Sequence, residues 1–340
     1  MKKKTIYILV VLSVLLLFAN VVLNIVNKPE PQIAKAETDA AEIDSLFVHA
    51  IYKFNLDSSW ITQVPINSSQ YDSLRNVYRI KLPGDLRPAT ILLELKNAFQ
   101  NYPVDLISDE KVVNATTTLN ILSNNKLKLQ SAISVENELE RPHTKLSFII
   151  TNYEELNQSR KESLFYSMIP YSILLVPSIE TDSTIIKLND YKKSYSLFID
   201  DDIDEDKYKL ASDFSKTRLK EAVRYLSRNY SMADLFIVND KSNIFNSAIF
   251  NFIRDEFTSR EVKLYRLNDF ISLPDNYDEA LSLLKFYLES GVGEKGKIIV
   301  TNANIFYELN EILLEAKKRG TKFYRPNEII QINQSMSNPN

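Results

Sequence analysis

The opening stretch of this chain constrains it most. Lys2-Lys3-Lys4 are followed by an apolar run from Ile6 to Val26, IYILVVLSVLLLFANVVLNIV, with no charge and no proline. At a rise of about 1.5 Å per residue, the run is just long enough to cross a hydrocarbon core of about 30 Å. Lysines on its N-terminal flank predict that this end stays in the cytoplasm and that everything after Lys28 lies on the far side. A cleaved signal peptide would have a shorter apolar core, about 7–15 residues, ending in a small-x-small site. Around Ala19 the chain reads Phe18-Ala19-Asn20-Val21-Val22 instead. No cysteine ends the run, which excludes lipoprotein processing. The expectation is a retained single-pass anchor at residues 6–26 in the inner (cytoplasmic) membrane. The remaining domains then stand in the periplasm or otherwise outside the cytoplasm.

Beyond the anchor about 310 residues remain, enough for two domains. Apolar residues make up 44% and charged residues 25%, a globular balance. A net charge of −3 provides no basic field for nucleic acid. With no cysteine, the chain has no disulfide, no thiol nucleophile and no thiolate metal site. Histidine occurs only at His49 and His143. Glycine occurs five times, and only Gly291-Val292-Gly293-Glu294-Lys295-Gly296 forms a cluster. That cluster follows a helical pattern and precedes a strand, whereas a phosphate-binding fingerprint has the opposite order. It reads as a helix C-cap and turn.

Residues 28–40 are polar and proline-bearing, a short tether. From 41 to 140 the pattern predicts a small α+β domain. It has helices at 43–54 and 90–100 and strands at 60–64, 76–82, 104–107, 117–122 and 127–135. Asn124-Asn125 should turn the last two strands into a hairpin. From 141 to 332 the rhythm changes. Apolar strands at 145–150, 172–176, 194–199, 234–238, 262–267, 297–301 and 322–324 alternate with helical patterns at 154–166, 214–229, 243–257, 277–290 and 305–319. The helix after the second of these strands is poorly marked. Runs such as SFIIT, ILLV, LFIV and KIIVT are apolar on both faces, as buried parallel strands should be. An incomplete (β/α) barrel of about seven strands and an open doubly wound sheet both fit. Residues 333–340 read as a polar tail. In either α/β architecture the site lies at the C-terminal ends of the strands.

Those ends read Thr151-Asn152-Tyr153, Pro177-Ser178, Asp200-Asp201-Asp202, Asn239-Asp240-Lys241-Ser242 and Thr301-Asn302. Together with Ile169-Pro170-Tyr171-Ser172-Ile173-Leu174-Leu175-Val176-Pro177, Leu197-Phe198-Ile199-Asp200-Asp201 and a closing segment Gly320–Ile330, the order and spacing resemble the divergent polysaccharide deacetylase family. Some members also carry an anchor and a small α+β domain before the barrel, so the resemblance extends over most of the chain. The resemblance implies a metal held by aspartate and histidines, with a carboxylate as base. In this chain the corresponding positions are Thr151, Asn152, Ile199, Asn239 and Asn302, and only Ser242 remains of an Asn-His-Met-Gly-Ser segment. Asparagine and threonine are poor zinc ligands. Without the metal no bound water is acidified for attack. The resemblance therefore implies the fold without the reaction: no catalytic residue, no metal, no cofactor. The expected binding pocket is formed by Thr151, Asn152, Tyr153, Asp200, Asn239, Ser242 and Asn302, with a cell-envelope glycan or an envelope protein as partner. Two alternatives stay open. One is an active esterase using Asp200, Asp201 or Asp202 with Asp240, and the other is a purely structural envelope protein.

The acidic run 200–206 lacks the glycine of an EF-hand loop and reads as a solvated loop rather than a calcium site. His49 falls on an amphipathic helix and His143 before a strand, so neither is expected to bind a ligand. Tyr153 and Tyr324 are candidates for lining a groove.

Overall fold

A computed structural model describes residues 37–65, 76–110, 116–201 and 203–337. The expected anchor at 6–26, most of the tether and Asp202 lie outside the described residues. Among the described residues no helix is long and apolar enough to cross a membrane. The chain divides into two compact units. One holds the described residues up to Ile51 together with Ser58–Glu136, and the other holds Tyr52–Asp57 and the chain from Asn137 onward.

The first unit is a five-stranded sheet with two helices. Its elements are α1 (Ala40–Tyr52), β1 (Ile61–Pro65), β2 (Asn76–Pro83), α2 (Pro88–Ala98), β3 (Val104–Glu110), β4 (Thr117–Ser123) and β5 (Lys126–Glu136). The strand order is β1-β2-β5-β4-β3, antiparallel except for the β2–β5 pair. Along β4, Thr117, Leu119, Ile121 and Ser123 are buried while the residues between them are not. That period of two marks a sheet with one covered face. Ile43, Phe47, Ile51, Ile91 and Leu95 of the helices and Tyr78, Ile80 and Ile133 of the strands are buried, and the Phe47 and Tyr78 rings lie 4.9 Å apart. Asn124 and Asn125 both have positive φ, 50° and 61°, as the two-residue type I′ turn of the expected hairpin requires.

The second unit carries β6 (Lys145–Thr151), α3 (Gln158–Phe165), β7 (Ser172–Leu175), α4 (Ile179–Asp190), β8 (Ser194–Ile199), α5 (Lys216–Asn229), β9 (Phe236–Val238) and α6 (Phe250–Thr258). It continues with β10 (Leu264–Arg266), β11 (Ile271–Ser272), α7 (Tyr277–Ser290), β12 (Lys297–Asn302), α8 (Ala303–Lys318), β13 (Lys322–Phe323) and α9 (Pro326–Ser337). The strands are parallel in the order β10-β9-β8-β7-β6-β12-β11, and β13 pairs with the start of β6. From β6 to β10 each strand neighbours its successor, and β12 returns to β6. This is the cyclic order of a barrel left open between β10 and β11, which gives a curled seven-strand sheet rather than a doubly wound one. The convex face packs under helices through Phe148, Ile150, Ile173, Leu197, Phe306 and Leu309. The concave face carries Ile149, Ile237, Ile298 and Val300 against Ile329 of α9.

The poorly marked helix after β7 is α4, capped by the Ser178 hydroxyl on the Thr181 amide. Other expectations need correction. The helix expected from 243 begins only at Phe250. The stretch read as the family's closing strand is strand only at Lys322–Phe323, and α9 then runs through the expected tail to Ser337. Asn333 fastens α9 by accepting from the Gly296 amide and donating to the Gly296 carbonyl, both at 2.8 Å. Gly291 is the C-cap of α7, as the turn reading requires.

Candidate functional site

The C-terminal ends of the strands hold the predicted residues in two separate groups, with β7 between them. At the β8–β9 end, Asn239 Nδ2 donates to Asp200 Oδ2 at 2.9 Å, and Asp200 Oδ1 accepts the Asp201 amide at 2.8 Å. Asp201 turns the other way. Its Oδ1 accepts the Ile244 amide at 3.0 Å and its Oδ2 the Asn243 amide, which pins the loop before α6. Asp240 accepts a hydrogen bond from the Asn268 side chain. Ser242 is buried; its hydroxyl donates to the Asn239 carbonyl at 2.6 Å and accepts the Phe245 amide at 3.1 Å. It closes a turn and presents no free group, contrary to its expected place in a pocket.

At the β6–β12 end, the Thr151 hydroxyl donates to the Thr301 carbonyl at 3.3 Å across the strand pair. Asn302 is the N-cap of α8, its side chain accepting the Asn304 amide at 2.9 Å. Such caps satisfy one of the unpaired amides of a helix's first turn. Asn152 takes the left-handed conformation, φ 56°, and its side chain donates to Glu155 at 2.8 Å. Asparagine tolerates that region better than most residues, so a structural reason accounts for its presence here. Tyr153 points into the core against Phe165, ring centroids 6.2 Å apart. Burial, and then the Glu154 carboxylate, push its phenol up to about 12. It therefore lines no groove. Tyr324 packs beside the concave cluster.

Chemically, this rim offers amides, hydroxyls and carboxylates whose hydrogen bonds are largely taken by neighbours. Among the described residues no group of three or more His, Asp or Glu side chains is placed to hold a metal ion. The carboxylates of the alternative esterase reading point apart: Asp200 to Asn239, Asp201 to the loop before α6, Asp240 to Asn268. Asp202 lies outside the described residues. One rim feature was not anticipated. Arg160 reaches from α3 to Asn304 at 2.7 Å and lies over the Tyr307 ring, 5.0 Å from its centroid. Its only sequence signal was an arginine in the first turn of a helix capped by Asn157. His143 donates from Nδ1 to the Arg141 carbonyl at 3.0 Å, at the opposite end of β6.

No protein-family profile and no curated protein matches the sequence. Among solved structures, an uncharacterized protein from Agrobacterium tumefaciens C58 matches over 56% of this chain and 91% of its own. The identity is 11% and the TM-score 0.37, a likeness too distant to bear on fold or function.

Proposed function

We propose that the chain is an envelope protein anchored by residues 6–26, whose second unit has the barrel of a polysaccharide deacetylase without its reaction. It serves as a binding module for an envelope glycan or an envelope protein. The observation that carries this reading is the Asp200–Asn239 pair. At Asn239, where the resembled family sets an imidazole, an amide N–H is hydrogen-bonded to the neighbouring Asp200 carboxylate, while the family's aspartate positions read Thr151 and Asn152. An amide nitrogen donates and has no lone pair to offer a metal. Thr151, Asn152 and Asn302 support the reading in the same way, since each is engaged in a turn, a cap or a strand pair.

Elemental analysis of the purified full chain should show no stoichiometric zinc, and acetylated chitin oligomers or peptidoglycan fragments should release no acetate. Zinc at one per chain, or metal-dependent acetate release lost in Asp200→Ala or Asp240→Ala, would establish the esterase reading instead. Binding of the same fragments, weakened by Asp200→Ala, supports a glycan partner. Neither glycan nor protein capture would leave the structural reading. Intact mass of membrane-extracted protein tests the anchor, and a new N-terminus between residues 20 and 40 would overturn it.

A further inference from the structure

The open face of the first unit's sheet has a charge pattern that complements itself. Across the strands, Arg79 on β2 pairs in register with Ala132 on β5, Ala132 with Thr118 on β4, and Thr118 with Asp109 on β3. This row runs from a cation through two small neutral residues to an anion. The next row, Val77, Gln130, Asn120 and Ile107, is neutral throughout. Lys81 lies one row beyond Arg79, and Asp105 continues the acidic side along β3. All four charged residues are exposed. Among the described residues none of them carries an ion pair. Helices α1 and α2 cover the opposite face, and among the described residues of the unit no element covers this one.

We infer that this face binds the same face of a second copy, in a two-fold dimer whose axis runs parallel to the strands between β5 and β4. Such an axis exchanges left and right across the sheet and keeps each row at its own level. It sets Arg79 over Asp109 of the other copy, twice by symmetry, with Ala132 over Thr118 between them. An axis across the strands would set Arg79 over Arg79, so the charges select one orientation. Aligned sheets pack about 10 Å apart with strands crossing by about 30°.

The start of the chain agrees with this axis. Thr38 donates its amide to Ser123 at 3.0 Å, and Glu37 pairs with Lys126 at 3.0 Å and with Lys128. The chain therefore enters the unit beside the β4–β5 hairpin, at one end of the axis. Both copies are entered from the same end, as two chains anchored in one membrane must be. With the axis between β5 and β4 four strands overlap and β1 lies outside, so at about 4.8 Å spacing the shared face is roughly 19 Å wide. That is small for a standard interface, about 800 Å² per partner, so the dimer is weak in dilution and favoured by the high local concentration within a membrane.

The chain has no cysteine, so Ala132→Cys introduces a single thiol. The two copies of this thiol would lie about 11 Å apart by the packing distances above, within reach of a short bismaleimide. In membranes holding the full chain, Ala132→Cys should cross-link to a dimer, whereas Lys96→Cys on exposed α2 should not. Adding Arg79→Asp or Asp109→Arg should lower the yield about tenfold or more, because two attractive pairs become repulsive. Combining both reversals should restore it, which no misfolded variant would do. No cross-link at 132, equal cross-linking at 96, a yield indifferent to the single reversals, or failure of the double reversal to rescue would each overturn the dimer.

Discussion

The two sheets of this protein bury their surfaces differently. The five-stranded sheet of the first unit has helices on one face and presents the other, and β4 records this in strict alternation of buried and half-buried residues. The curled sheet of the second unit is covered on both faces, and β6 has five consecutive buried residues, Leu146 to Ile150. Even its polar residues are enclosed: Ser147, Ser172 and Ser196 are fully buried, with Ser172 and Ser196 hydrogen-bonded to each other at 2.8 Å. The difference teaches where a charge can be tolerated. One sheet has a face where charge is solvated and free to select a partner. The other has none except at its rim.

The sharpest test of this contrast places the same carboxylate on each sheet. Ile149→Asp, on the concave face beside Ile298 and Val300, strands a charge away from water and should cost about 4 kcal/mol or more. Ser134→Asp, on the open face beside Lys81, should stay within about 0.5 kcal/mol. Urea unfolding of the full chain measures both, and equal costs would break the comparison.

A smaller effect comes from Asp234, a half-buried acid just before β9. Burial lifts the Asp234 carboxyl from 3.8 to about 6, while the Ser194 hydroxyl and the Arg325 charge pull the other way and Glu328 adds to the rise. Its Oδ2 is buried without a hydrogen-bond partner. A carboxyl whose folded pKa is raised binds its proton more tightly in the native state. Its penalty is therefore full above about pH 6, shrinks as pH falls toward 3.8, and is gone below that. Asp234→Asn should stabilise the second unit by roughly 1–2 kcal/mol at pH 8 and by little at pH 4. Melting curves at the two pH values decide this, and a gain independent of pH would show that the charge is not the cause.

The smallest predicted effect lies in the first unit. Asn125 holds φ 61° in the β4–β5 turn, a conformation glycine adopts without side-chain strain. Asn125→Gly should raise that unit's stability by about 0.5 kcal/mol and leave the second unit's transition unmoved. A shift in both transitions would mean that the units do not unfold separately.

Strands were legible wherever burial left a pattern. The alternation in β4 and β5 and the continuous apolar runs in β6, β8 and β12 each sit on the predicted residues. Helix α4 was not legible because ETDSTIIKLND has a weak apolar stripe; its only clear mark is the Ser178 cap. Strand β11 has two residues, too few for any period. Helix α9 spans Pro326–Ser337, where the sequence shows a closing segment to Ile330 by resemblance and a polar tail from 333. Its docking depends on Asn333 meeting Gly296, a contact far along the chain. At the rim, the residue types were plain but their employment was not. The sequence places Ser242, Asn302 and Tyr153 at strand ends, and only the folded chain turns the first into a loop clasp, the second into a helix cap and the third into core.

The sequence by itself determined the residue chemistry: an apolar run at 6–26, no thiol, two histidines and strand ends of Asn, Thr, Ser and Asp. It also determined the periods, because burial on one face or two is written into each strand locally. Only the tertiary structure decided that the parallel strands follow a cyclic order, since local periodicity carries no record of which strand lies beside which. It alone decided that Asp200 and Asp240 face separate partners, and that Arg79 and Asp109 stand at opposite ends of one row. Those relations depend on register between strands distant in sequence, and register is settled by the packing of the whole sheet.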